Sequence, residues 1–102
     1  MQVSFYENLI LEDYKSRGYE AIKCDYAGLP DFFFRNPKTH RQEFVEVKVN
    51  FSRVRRMQKI VMTKLRKCGF TVKVIRIKTK KPMYSATQKQ YGDFIYWIVI
   101  EK

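Results

Sequence analysis

Apolar positions along this chain change their period several times, and each change marks an element. Over residues 4–17, SFYENLILEDYKSR, they recur at helical spacing and Gly18 follows as a stop, which predicts a first helix. Ser4 and Glu7 have the spacing of a capping box, in which each side chain satisfies the other's backbone amide. YEAIKCDY (19–26) predicts a strand closed by the turn AGLP, and DFFFR (31–35) a second one ended by the breakers of NPKTH. In QEFVEVKV (42–49) the residues alternate: Val45, Val47 and Val49 share one face, while Glu46 and Lys48 project together from the other. Residues 52–67, SRVRRMQKIVMTKLRK, predict a second helix with Ser52 as N-cap, an apolar stripe of Val54, Met57, Val61, Leu65 and Cys68, and Gly69 as its end. FTVKVIRIK (70–78) returns to a strand pattern. TKKPMYSATQKQYG (79–92) reads as a basic loop, and DFIYWIVIEK (93–102) as a last strand. That strand is too apolar on both faces for an open edge, so it is either central or covered by a second subunit.

The order is αβββαβ with one extra C-terminal strand, an α/β arrangement with a mixed central sheet flanked by helices. A length of 102 residues suits a single domain, and 45% hydrophobic residues suffice for its core, which excludes a disordered tail. No apolar run is long enough to span a membrane and the first residues lack a signal-peptide layout, so a cytoplasmic, intracellular protein is expected. Cys24 and Cys68 are expected to be small buried hydrophobes. With His40 the only histidine, the usual nitrogen and sulfur ligands of zinc are missing, and any metal must be a hard ion held by carboxylates.

Charge changes the picture because it is uneven. The formal net charge is +11, yet residues 1–46 hold eight acids against six bases. From Val47 to Gly92 there are 14 Lys or Arg and no acid. Such a stretch repels itself unless a polyanion neutralises it, and nucleic acid is the commonest such partner. Arg53, Arg55, Arg56 and Lys59, at the start of the second helix, are candidates to grip phosphates, with solvated surface charge as the plain alternative. Tyr91, Phe94, Tyr96 and Trp97 are assigned to packing rather than to base stacking.

Asp31 opens the second strand, and Glu46 and Lys48 lie on its neighbour. Two carboxylates on adjacent strands supply convergent oxygens for a divalent ion, and a lysine beside them faces the same cleft. Two acids, one lysine and no histidine suit metal-assisted hydrolysis of a phosphodiester, with the ammonium offsetting charge on the phosphoryl oxygens.

GLPD at 28–31, followed after a gap by EVK at 46–48, resembles the signature of the PD-(D/E)xK nuclease superfamily, which includes restriction endonucleases, archaeal Holliday junction resolvases and VRR-NUC domains. The resemblance covers residues 4 to about 78 and implies a restriction endonuclease-like core. It implies a Mg²⁺- or Mn²⁺-dependent endodeoxyribonuclease with Asp31, Glu46, Lys48, Glu7 and Gln58 in the active site. Asp31, Glu46, Glu7 and the Val47 backbone carbonyl are its implied metal ligands. Glu7 is open to two roles, helix cap or metal ligand, and Gln58 resembles the glutamine that resolvases and VRR-NUC domains hold beside the active site. Val49 stands where many resolvases carry a small hydroxyl residue. With no separate recognition domain visible, structure-selective or nonspecific cutting of DNA by a homodimer is expected, without a small-molecule cofactor. The alternatives are a nucleic-acid-binding module on the same fold that never cuts, and a basic structural protein in which Glu46 and Lys48 form a surface pair.

Overall fold

The computed structural model describes residues 2–101. Helix α1 (Phe5–Ser16) is followed by strands β1 (Glu20–Lys23), β2 (Phe32–Arg35) and β3 (Gln42–Val49), helix α2 (Arg56–Lys67), and strands β4 (Thr71–Lys78), β5 (Thr87–Tyr91) and β6 (Phe94–Glu101). One mixed sheet runs in the order β1-β2-β3-β4-β6-β5. Among the described residues only β3 and β4 pair in parallel, because α2 carries the chain from the end of one to the start of the other.

The period-two pattern of the strands divides the core between two faces. On one side α1 lays Leu9, Ile10 and Tyr14 against Phe32, Phe34, Val45, Val47, Ile75 and Ile77. On the other, Met62 of α2 packs on Val72 and Val74, with Phe44, Val54 and Leu65 around them. Glu43 points to the α1 face, where its Oε2 accepts from the Tyr14 hydroxyl at 2.7 Å and pairs with Lys73 at 2.9 Å. Burial and the Glu43 carboxylate push the Tyr14 hydroxyl pKa up, so it stays a neutral donor.

The αβββαβ core stands as the pattern implies, and four details differ. Helix α2 begins at Arg56 with Arg55 as N-cap, not at Ser52, because residues 50–54 are taken up by a turn tied to β4. Its buried residue is Met62, whereas Met57 and Cys68 of the expected stripe are exposed. Cys24 is half-buried, and burial raises its thiol pKa. Thr87–Tyr91, expected as loop, is strand β5, so the C-terminal addition is a hairpin rather than one strand. Strand β5 lies at the sheet edge and β6 inside it, which accounts for the apolar character of β6. Phe94 and Tyr96 pack with the α1 core, and Tyr91 is exposed.

Candidate active site

The site grows from the junction of β2 and β3. Pro30 is fully buried and Gly28 takes φ +85. A Cβ on Gly28 would stand 3.0 Å from both Met57 Cγ and Val61 Cγ2, so the GLP turn fits under α2 only without a side chain. This turn delivers Asp31 to the start of β2. Phe32 pairs with Val45, which brings Asp31 level with Glu46 on the neighbouring strand. The Val47 N–H donates to Asp31 Oδ2 at 2.7 Å, fixing that carboxylate against β3.

Glu46 is 2% exposed and projects to the α2 side of the sheet. Its Oε2 accepts from Gln58 Nε2 at 2.8 Å and from Lys48 Nζ at 3.0 Å. Gln58 Oε1 accepts the Arg55 N–H at 3.1 Å, so the amide is held at both ends and its orientation is set by the backbone. Glu46 Oε1 is buried and has no hydrogen-bond partner among the described residues. A buried carboxylate oxygen without a partner is costly.

Lys23, on β1, is a participant that the sequence pattern did not single out. Its Nζ lies 2.8 Å from Glu7 Oε2 and 3.4 Å from Asp31 Oδ1, so one ammonium bridges two acids. Burial lowers the Lys23 pKa, but the two acids outweigh it and the group is raised. Glu7 is raised by burial and lowered more by Lys23 and Ser4, with a net fall. Its Oε1 accepts the Ser4 N–H at 2.8 Å, completing the capping box, so Glu7 serves as cap and as partner of Lys23 at once. For Asp31, burial together with the charges of Glu46 and Glu7 outweighs the Val47 amide and Lys23, and the pKa is pushed up to about 6.

Asp31, Glu46, Lys48 and Gln58 therefore meet in one place, and Glu7 joins through Lys23. Among the described residues no three His, Cys, Asp or Glu groups form a ready metal cluster. Asp31 and Glu46, with one buried carboxylate oxygen unpartnered, are the residues that could hold a hard divalent cation here. Arg53, Arg55, Arg56 and Lys59 are exposed around the N-terminal end of α2, beside Gln58. On β4, Arg76 pairs in register with Lys48, but its charge is matched by Glu101 at 2.9 and 3.1 Å.

Sheet order, the crossover helix and this acid–acid–lysine corner define the nuclease-like fold of the PD-(D/E)xK superfamily. Residues 3–79 match the VRR-NUC domain, and the chain belongs to that family. The match ends just after β4, leaving the β5–β6 hairpin outside it. In fold the chain is similar to Hjc, a Holliday junction resolvase from the archaeal hyperthermophile Archaeoglobus fulgidus. The TM-score is 0.55 at 16% identity, over 92% of this chain and 87% of that one. Among curated proteins none matches in sequence. No helix among the described residues is long and apolar enough to cross a membrane.

Proposed function

We propose that this protein is a divalent-metal-dependent DNA endonuclease that selects branched or frayed structures rather than sequence. The observation that carries this reading is the buried Glu46 carboxylate, fixed through one oxygen by Gln58 and Lys48 and unpaired at the other, level with Asp31. Asp31, Glu46 and the Val47 carbonyl would hold Mg²⁺ or Mn²⁺. A bound cation of this kind polarises a phosphate and makes water a better nucleophile near neutral pH.

The protein's own groups do the rest. Lys48, held 3.0 Å from Glu46, places its ammonium where charge grows on the phosphoryl oxygens. Gln58 keeps Glu46 in one rotamer. Lys23 compensates Asp31 and Glu7 before a cation binds, which lets three acids share a small volume. Arg53, Arg55, Arg56 and Lys59 take the phosphates that flank the cut. Cutting both strands of a branched DNA calls for two such sites, which a homodimer supplies.

The test incubates linear, flapped and four-way DNA with the protein, with Mg²⁺, with Mn²⁺ and with chelator, beside Glu46→Ala and Lys48→Ala. Metal-dependent cleavage is expected from the wild type alone, with DNA binding kept by both variants. Cleavage that survives in both variants rules this site out. DNA binding without cleavage by the wild type favours the non-cutting module, and absence of salt-dependent binding favours the structural protein.

A further inference from the structure

Immediately beyond Lys48 the chain turns out of β3, and this turn is held with unusual care. Asn50 adopts φ +50, a left-handed conformation that asparagine tolerates better than most residues. Its N–H bonds the Ile77 carbonyl at 2.8 Å. Its side chain accepts the Thr79 N–H at 3.1 Å and donates to Thr79 Oγ1 at 3.1 Å. Arg76 donates to the carbonyls of Asn50 and Ser52. What this rigid turn presents is Phe51, which is 91% exposed.

A large apolar ring held out in water by a turn that half-buried polar groups anchor has no packing role to explain it. It does have company. Lys78 Nζ lies 4.9 Å from the ring centroid, and a cleft of about 470 Å³ opens beside it. Tyr84, half exposed, lines the same cleft together with Lys78, Lys80 and Lys81, and no acid is among the lining residues. Two aromatic faces among lysines match the two chemical parts of a nucleotide, a flat base and a phosphate. Bases within a duplex are stacked on one another, so an aromatic platform of this kind is open only to unpaired ones.

We propose that the Phe51–Tyr84 cleft binds an unpaired nucleotide of a single-stranded segment, with its base against the rings and its phosphates on Lys78, Lys80 and Lys81. Phe51 is three residues past Lys48, at most about 10 Å of chain, so the segment lies within a few nucleotides of the candidate cutting site. Only that last step, the relation to cutting, rests on the nuclease reading. The cleft supplies the selection for flapped or frayed DNA: a substrate must offer a free base beside the bond presented to Asp31 and Glu46.

Fluorescence anisotropy in chelator, where no cutting occurs, tests this with a labelled oligothymidylate and a blunt duplex of equal length. Phe51→Ala and Tyr84→Ala are each expected to weaken single-strand binding about tenfold while duplex binding changes less than about twofold, and Phe51→Trp to keep wild-type affinity. Unchanged single-strand affinity in Phe51→Ala, or equal losses on both DNAs, overturns the proposal, as does a wild type that binds anionic vesicles but no single strand. Because Phe51 lies outside the core, its truncation leaves folding intact, which circular dichroism checks. Phe51-dependent binding by a wild type that never cuts leaves this cleft standing and removes the nuclease reading. Metal-dependent cutting alongside normal binding by Phe51→Ala does the reverse.

Discussion

Replacing Asp31 with asparagine separates the electrostatics of the acid cluster from its geometry. Burial, with Glu46 and Glu7 nearby, moves the Asp31 pKa from its ordinary 3.8 to about 6. Between those values the folded protein binds a proton that the unfolded chain has released, so stability falls as pH rises from about 4 through about 6 and stays lower above. That interval corresponds to about 3 kcal/mol, which partial exposure and solvent screening reduce to about 1–2 kcal/mol. Asparagine keeps an oxygen for the Val47 N–H and discards the charge, while Lys23 retains Glu7 at 2.8 Å. In chelator at about pH 7.5 the variant is therefore expected to melt about 4–16 °C above the wild type, since about 1 kcal/mol moves a domain of this size by about 4–8 °C. At about pH 4 the wild-type carboxyl is itself mostly protonated and the gain disappears. Adding Mg²⁺ at neutral pH should raise the wild-type melting temperature and leave the variant unmoved. Circular dichroism melts across this pH range, with and without metal, give all three results. A variant less stable than wild type at neutral pH, or a gain undiminished in acid, refutes the reasoning.

Two further substitutions probe the groups around the acids. Lys23→Met removes the cation shared by Glu7 and Asp31, so metal-free stability should drop by about 1 kcal/mol in urea unfolding. In the same variant the Mn²⁺ midpoint by calorimetry should tighten severalfold, and a weaker midpoint contradicts Lys23 as the charge that compensates Asp31 and Glu7 before a cation binds. Gln58→Ala frees Glu46 to rotate and should slow single-turnover cleavage by about 10–100-fold with DNA binding unchanged. An equal loss in binding would make Gln58 a DNA contact instead.

How much of this was legible depended on whether a residue's conformation is decided nearby. Strand β3 could be read from its own alternation, because Val45 and Val47 face a buried layer while Glu46 and Lys48 share the opposite one. The α1 start was equally local, since Ser4 and Glu7 complete their capping box within one turn. The start of α2 was not. Ser52 has the right chemistry for an N-cap, but the turn from Asn50 is anchored by Thr79 and Arg76, residues more than twenty positions away. Strand β5, TQKQY, carries no apolar face; it is a strand because β6 pairs with it, an influence invisible in its own residues. Lys23 escaped notice for the same reason, as only the pairing of β1 with β2 sets it near Asp31. An ammonium-bearing residue that alternates with apolar Ile22 in a strand following an acidic helix was the one available hint.

Strand β3 also contains its own control for the functional reading. Glu43 and Glu46 are both glutamates on one strand, 6% and 2% exposed, so each removes a carboxylate from water at similar cost. They project to opposite faces and meet different treatment. Both contacts of Glu43, from Tyr14 and Lys73, go to its Oε2, and among the described residues no unpartnered oxygen of Glu43 is fully buried. Glu46 is likewise held through Oε2, by Gln58 and Lys48, but its Oε1 is buried without a partner among the described residues. The difference lies in that second oxygen: Glu43 joins α1 to the sheet through Tyr14, whereas the buried, unpartnered Oε1 of Glu46, level with Asp31, is the oxygen that the proposed cation would take.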